Sequence, residues 1–228
     1  MTTNGSLITS QSIMDIKELW IISTVSLDGP PEVTGRDRLL VSGEGSMSLI
    51  PRILQIIWDD ISLFRVNQVI TPKTVRGMRK NFEYLYTQGF RSFNFLPEYY
   101  VEWSKSALTD LLKWFQEISD MWSTHPINLV NQENYSPTSF FNLGIVIDTD
   151  GSVYGTNLIL AGRFEKYKHE LRLGNIFDKE FLFPEWNDQE IYIQKIDSFL
   201  KKEYSDNILK SVYYINRLLS NFTLSYGK

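Results

Sequence analysis

The feature that most constrains this chain is an alternation. As far as about residue 122, short β-branched runs, each stopped by Gly or Pro, take turns with segments of helical period. Ser10 caps an expected helix that reaches about Leu19, and Trp20–Leu27 reads as a buried strand ended by Asp28-Gly29-Pro30-Pro31. Residues 32–46 read as a polar loop, with Ser46 as the N-cap of a helix to about Trp58. Leu63–Ile70 is the next strand. Pro72 then stands in the first turn of a helix to about Thr87, which Gly89 closes. Arg91–Leu96 forms a strand ended by Pro97, and Lys105–Trp122 an amphipathic helix. Helical segments between successive strands predict an α/β fold with a parallel sheet, whose ligands gather at the carboxyl ends of the strands.

The pattern changes after Pro126. Residues 126–140 are rich in Asn, Ser and Pro and read as a linker. Two β-rich runs follow, Leu143–Asp148 and Ser152–Leu160, and Asp150-Gly151 between them signals a hairpin. Residues 161–172 are charged and read as exposed. Leu173–Ile176 reads as one more pairing element, and residues 188–222 as two helical pieces broken near Tyr204–Asn207. The expected divisions are 1–122, 123–180 and a helical tail at 181–228.

Composition narrows the functional classes. The net charge is −4, which gives no electrostatic reason to bind nucleic acid or an anionic membrane. No apolar run approaches the length of a spanning helix. The N-terminus lacks the basic and apolar regions of a signal peptide, so a cytoplasmic location is expected. There is no cysteine, hence no thiolate nucleophile or ligand, and the two histidines, His125 and His169, lie far apart in sequence. His125 reads as a loop residue and His169 as exposed. Asp148 and Asp150 read as turn formers rather than a carboxylate pair.

Several short motifs occur in a specific order. Thr3-Asn4-Gly5-Ser6-Leu7-Ile8-Thr9 is followed by Ser26-Leu27-Asp28-Gly29-Pro30, then by Arg38 and Gly43-Glu44-Gly45-Ser46. Val69-Ile70-Thr71-Pro72-Lys73-Thr74-Val75, Phe95-Leu96-Pro97, Ile147-Asp148-Thr149-Asp150-Gly151-Ser152-Val153-Tyr154 and Leu173-Gly174-Asn175-Ile176 come later. This series resembles radical-SAM enzymes with a C-terminal SPASM region, a family that includes sulfatase-maturating enzymes and peptide maturases. In that family Ser-Leu-Asp-Gly-Pro ends a strand, and a loop with His-Asp-x-x-Arg and Gly-x-Gly-Ser follows. Here the Arg and the glycines match, whereas Thr34 and Gly35 stand in place of His and Asp. The SPASM hairpin is normally flanked by cysteines, where this chain has Gly155, Thr156 and Asn157.

The resemblance implies an incomplete parallel (β/α) barrel of three or four strands, then a small SPASM-like hairpin region and C-terminal helices. It also implies S-adenosylmethionine (SAM) and a 4Fe–4S cluster as the family's cofactors, but none for this chain alone, because the cluster-holding cysteines are missing. No catalytic residue and no metal ligand is assigned. Ser26 and Asp28 would line the SAM ribose side and Arg38 would approach its carboxylate, with Asn4 and Asn67 on the same side. Asn94, Tyr99, Tyr100 and Trp103 would lie toward substrate. Read from the residues alone, the three asparagines suit turns or strand edges and the aromatics suit packing. The expected function is that of a truncated or degenerate relative of peptide- or protein-modifying enzymes, incompetent for radical chemistry alone. Two alternatives stand beside it. One is half of a split enzyme, completed by a chain carrying the missing N-terminal half with its cysteines. The other is a non-catalytic module that binds a peptide or protein.

Overall fold

The computed structural model describes residues 1–38, 49–133, 145–182 and 186–226. Gly43–Ser46 and Leu143 lie outside the described residues. The chain divides into two compact units, Met1–Tyr135 with Leu218–Lys228, and Ser136–Arg217.

The first unit is built on a parallel sheet of five strands in sequence order: β1 (Thr2–Thr3), β2 (Ser23–Ser26), β3 (Phe64–Ile70), β4 (Ser92–Pro97) and β5 (Asn128–Leu129). Helices α1 (Ser10–Glu18), α2 (Pro31–Asp37), α3 (Leu49–Ile57), α4 (Met78–Thr87) and α5 (Lys105–Trp122) fall between successive strands. The order never reverses, as in one wall of a barrel. Among the described residues the strands of this sheet number five rather than three or four, because β5 and a short helix α6 (Val130–Glu133) lie where a linker was expected.

Burial alternates along the strands with period two. Val25, Phe64, Val66, Gln68, Ile70, Phe93, Phe95 and Pro97 are buried. Ser26, Arg65, Asn67, Val69, Ser92 and Asn94 on the opposite face are only half-buried. The buried face packs against helices. Phe95 stacks edge-on against Trp114 of α5 with ring centroids 5.4 Å apart, and Phe93 lies 4.8 Å from Phe82 of α4. Each ring removed from water there stabilises the fold by about 1.5–3 kcal/mol. One side of the sheet is therefore committed to the core and the other presents a polar surface.

Some local expectations are corrected. Thr9, not Ser10, caps α1: its hydroxyl accepts from the Ser12 N–H, and Ser12 Oγ accepts in return from the Thr9 N–H at 3.3 Å. The strand expected from Trp20 begins only at Ser23, because Trp20 takes the left-handed conformation (φ 52°) where α1 ends. Its N–H reaches the Lys17 carbonyl at 3.3 Å, and the Ile21 N–H reaches that of Ile16 at 3.0 Å. The first part of the expected loop at 32–46 instead belongs to α2, which starts at Pro31 because proline suits a helix's first turn. Thr71–Thr74 is a turn closed by two threonine hydroxyls, and α4 starts only at Met78.

The second unit carries an antiparallel sheet of β6 (Val146–Ile147), β7 (Ser152–Tyr154) and β8 (Arg172–Asn175). The β6–β7 hairpin turns at Asp148–Gly151, where the Asp150 carboxylate accepts from the Ser152 N–H and hydroxyl at 2.8 and 2.9 Å. Residues 161–172 are not uniformly exposed, since a short helix α7 (Lys168–Leu171) and the turn before it bury Leu171 and Phe164. Later in the chain come α8 (Trp186–Glu203) and α9 (Asp206–Tyr226), with the break where the sequence places it and the residues of α9 from Leu218 on belonging to the first unit.

Candidate functional site

Most of the residues singled out by the sequence lie on or just after β2, β3 and β4: Ser26 and Asp28 at the carboxyl end of β2, Asn67 and Asn94 midway along β3 and β4, and Tyr99, Tyr100 and Trp103 after β4. After β2 the chain turns at Asp28-Gly29, and the turn is held from within. The buried Thr34 hydroxyl accepts from the N–H groups of Asp28 and Gly29 at 3.0 and 3.1 Å and donates to the Gly29 carbonyl at 3.0 Å. Gln68 Nε2 donates to the Asp28 carbonyl at 2.9 Å. Gly29 has φ 152°, and a Cβ there would lie 2.8 Å from Asn81 Cγ, so the turn requires glycine.

Asp28 is committed to this framework. Arg38 Nε and Nη2 donate to its two carboxylate oxygens at 2.7 and 2.9 Å, and the Val69 N–H donates to Oδ1 at 2.9 Å. Both charges are largely withdrawn from solvent, and the bidentate geometry is the strong form of this pair.

Beside this turn lies a row of polar side chains. Ser26 is in register with Asn67, and Asn67 with Asn94, across three adjacent strands. Asn94 Nδ2 donates to Asn67 Oδ1 at 2.9 Å. Among the described residues, nothing pairs with Asn67 Nδ2, Asn94 Oδ1 or the Ser26 hydroxyl. Adjacent strands are about 4.8 Å apart, so the row spans roughly 10 Å. It offers the Asn67 amide NH2, the Asn94 amide oxygen and a hydroxyl to whatever lies on this face.

The other expected residues separate. Asn4 sits after β1, where its Oδ1 accepts from the Ser6 N–H and hydroxyl at 3.0 and 2.8 Å and shapes a turn. Tyr99 and Tyr100 follow β4 with ring centroids 6.3 Å apart, and burial pushes the Tyr99 phenol up to about 12. Tyr100 is left-handed at φ 63°. Trp103 is buried and its indole N–H donates to the Glu98 carbonyl at 3.0 Å.

Sequence reading passed over Gln68, Asn81 and Asn131, and noted Thr34 only as a departure from the family's His, not as the anchor of the turn. Asn131 of α6 accepts from the Phe95 N–H at 2.8 Å and donates to the Phe95 carbonyl at 2.9 Å, continuing the β4 pairing where β5 stops. Gln68 alone carried a signal, as a polar residue at a buried position of an alternating strand.

The residues present do not fit an iron–sulfur cluster. The chain has no cysteine, and among the described residues no three of His, Asp and Glu group as metal ligands. Asp148 pairs with Lys168 at 3.1 Å, and Asp150 serves its turn. For SAM the fit is divided: the Ser26 hydroxyl is open, while the oxygens of Asp28 already take three donors from within the chain. Among the described residues, no helix is long and apolar enough to cross a membrane.

No protein-family profile matches the chain. A curated relative is the cysteine-type anaerobic sulfatase-maturating enzyme of Clostridium perfringens (strain 13 / Type A), 23% identical over 202 residues that cover 78% of this chain and 53% of the relative. The chain thus spans about half the length of the curated relatives it matches. Two solved structures are similar. Native anSMEcpe with bound AdoMet and Cp18Cys peptide matches at TM-score 0.64 and 23% identity, over 83% of this chain and 58% of that one. A hexahistidine-tagged anSMEcpe with bound AdoMet matches at TM-score 0.64 and 21% identity, over 83% and 55%. The chain has the fold of this part of a sulfatase-maturating enzyme, and its relatives, at low identity, fit the radical-SAM/SPASM family that its motifs resemble.

Proposed function

We propose that these residues form the peptide-facing part of a radical-SAM/SPASM-like protein related to peptide- and protein-modifying maturases. On their own they hold a peptide or protein substrate and perform no radical chemistry. The observation that carries this reading is the contrast between two parts of the fold. The polar row Ser26–Asn67–Asn94 keeps open hydrogen-bonding groups on the half-buried face of β2, β3 and β4, while no residue of the chain supplies a thiolate for a cluster. The Asp28–Arg38 pair acts here as a brace for the strand-end turn. Gly155 and Thr156 serve local structure, the first donating to Tyr192 Oη at 3.1 Å and the second accepting from the Leu158 N–H at 3.2 Å. The solved relative that holds the Cp18Cys peptide supports the choice of a peptide as ligand.

The test is fluorescence anisotropy of labelled Cp18Cys peptide titrated with the chain, without iron or SAM. Saturable binding is expected. Absence of binding at about 1 mM, a free energy weaker than about −4 kcal/mol, overturns the reading. Anaerobic incubation of the chain with iron and sulfide should leave no stoichiometric iron after desalting.

A second reading is favoured by the surroundings of β1. Leu19, Trp20 and Ile22 are 66, 90 and 62% exposed beside this edge strand, an apolar surface suited to a cysteine-bearing partner chain. Size-exclusion chromatography with light scattering, with and without the N-terminal half of the Clostridium perfringens enzyme, tests it. A one-to-one complex supports it, and two separate peaks sink it.

A further inference from the structure

We propose that Asn67 and Asn94 act together as a reader of peptide backbone. Asn67 Nδ2 would donate to a carbonyl, and Asn94 Oδ1 accept an N–H, of an extended chain lying across the half-buried face of β3 and β4 at mid-strand. The inference rests on the peptide-facing reading above and specifies the contact that makes it.

Three observations point the same way. Asparagine is disfavoured inside strands, yet two stand in register on β3 and β4, both half-buried on the face opposite the one that packs against α4 and α5. The bond from Asn94 Nδ2 to Asn67 Oδ1 at 2.9 Å orients both amides, so that Asn67 presents its NH2 group and Asn94 its oxygen beyond the pair. Those remaining groups have no partner among the described residues. A pre-oriented donor and acceptor lose little conformational freedom when a ligand arrives. They complement the carbonyl and N–H that every extended peptide repeats, whatever its side chains.

The same fold already uses this chemistry internally. The side-chain amide of Asn131 grips the N–H and carbonyl of Phe95, an extended residue of β4, at 2.8 and 2.9 Å. An asparagine amide therefore substitutes for a β-strand partner at one edge of this sheet, and the Asn67–Asn94 pair offers the equivalent groups on its half-buried face. The Ser26 hydroxyl extends the row by one strand.

A cycle between protein and peptide tests the contact. Labelled Cp18Cys peptide, unmodified or carrying a single backbone N-methyl group at successive positions, is titrated into the wild-type chain, Asn67→Asp, Asn94→Ala and Thr24→Ala. Asn67→Asp keeps the acceptor for Asn94 but removes the outward donor. It should weaken binding at least about tenfold, roughly 1.4 kcal/mol. One N-methylated position should weaken wild-type binding about tenfold and add little loss in Asn94→Ala, because the N–H and its acceptor are then both absent. Thr24→Ala, lower on the same face, should bind as wild type does. Melting curves confirm that each variant is folded. If the wild type binds but both asparagine variants bind equally well, or if no N-methyl effect is specific to Asn94, the backbone-reading inference fails while the peptide-facing reading survives. If the wild type does not bind the peptide at all, both fall.

Discussion

Replacing Thr34 with valine removes a single hydroxyl and tests how the strand-end turn is held. That oxygen accepts from two backbone N–H groups and donates to one carbonyl, all within 3.1 Å, at a residue with no exposed surface. Valine fills the same volume, so no cavity contributes. What remains is two N–H groups and a carbonyl without their partner, and each buried unsatisfied group costs about 1–3 kcal/mol. The turn can relax somewhat toward water, so a total of about 2–4 kcal/mol is expected, not the full sum. The assay is urea unfolding at 25 °C followed by tryptophan fluorescence, with the midpoint falling at unchanged slope. Thr34→Ser is the control: it keeps the hydroxyl and loses one methyl, for about 0.8 kcal/mol. If valine costs no more than serine does, the hydroxyl is not what holds the turn, and the assignment of Thr34 as its anchor is wrong.

Phe95→Ala should cost about 3–5 kcal/mol in the same assay, because its ring packs against Phe82, Phe93, Trp114 and Phe115 with no exposed surface. Asn131→Asp keeps the acceptor for the Phe95 N–H but sets a carboxylate against the Phe95 carbonyl. A loss of about 1–3 kcal/mol is expected, with faster hydrogen exchange at the Phe95 amide. In the second unit, hydrogen bonds from Lys166 and Tyr167 hold the Glu203 carboxyl below the usual glutamate range. A depressed folded-state value means that its contribution is present above the unfolded-state value and is lost as pH falls through the folded one. Wild type and Glu203→Gln should therefore differ in urea midpoint at pH 7 and converge at low pH. A gap that persists to about pH 2, well below the ordinary carboxyl range, would contradict the assignment.

The parts of this fold that the sequence displays are those set by local pattern. Leu63–Ile70 and Arg91–Leu96 became β3 and β4, and the amphipathic Lys105–Trp122 became α5. Asp150-Gly151 marked its hairpin because only a few turns join adjacent antiparallel strands. What stayed hidden was determined by long-range pairing. β5 is only two residues long and exists because β4 offers it an edge. Asn131 looks like linker composition until β4 lies beside it. The Ser26, Asn67 and Asn94 positions were visible individually, but their shared register depends on how three strands align. Trp103 was misleading for a different reason. A tryptophan after a strand end suits a pocket or a core equally, and only its 4% exposure and its bond to Glu98 place it in packing.

The most direct test of the account is the NMR spectrum of the chain, with the side-chain amide signals of Asn67 and Asn94 assigned and followed as Cp18Cys peptide is added. The account predicts that these two side-chain amides and the backbone N–H of Ser26 shift together and saturate at one peptide per chain, while the Asn131 side-chain amide, already engaged with Phe95, stays in place. Saturable shifts confined to residues outside β2, β3 and β4, with the Asn67 and Asn94 signals unmoved, would contradict it.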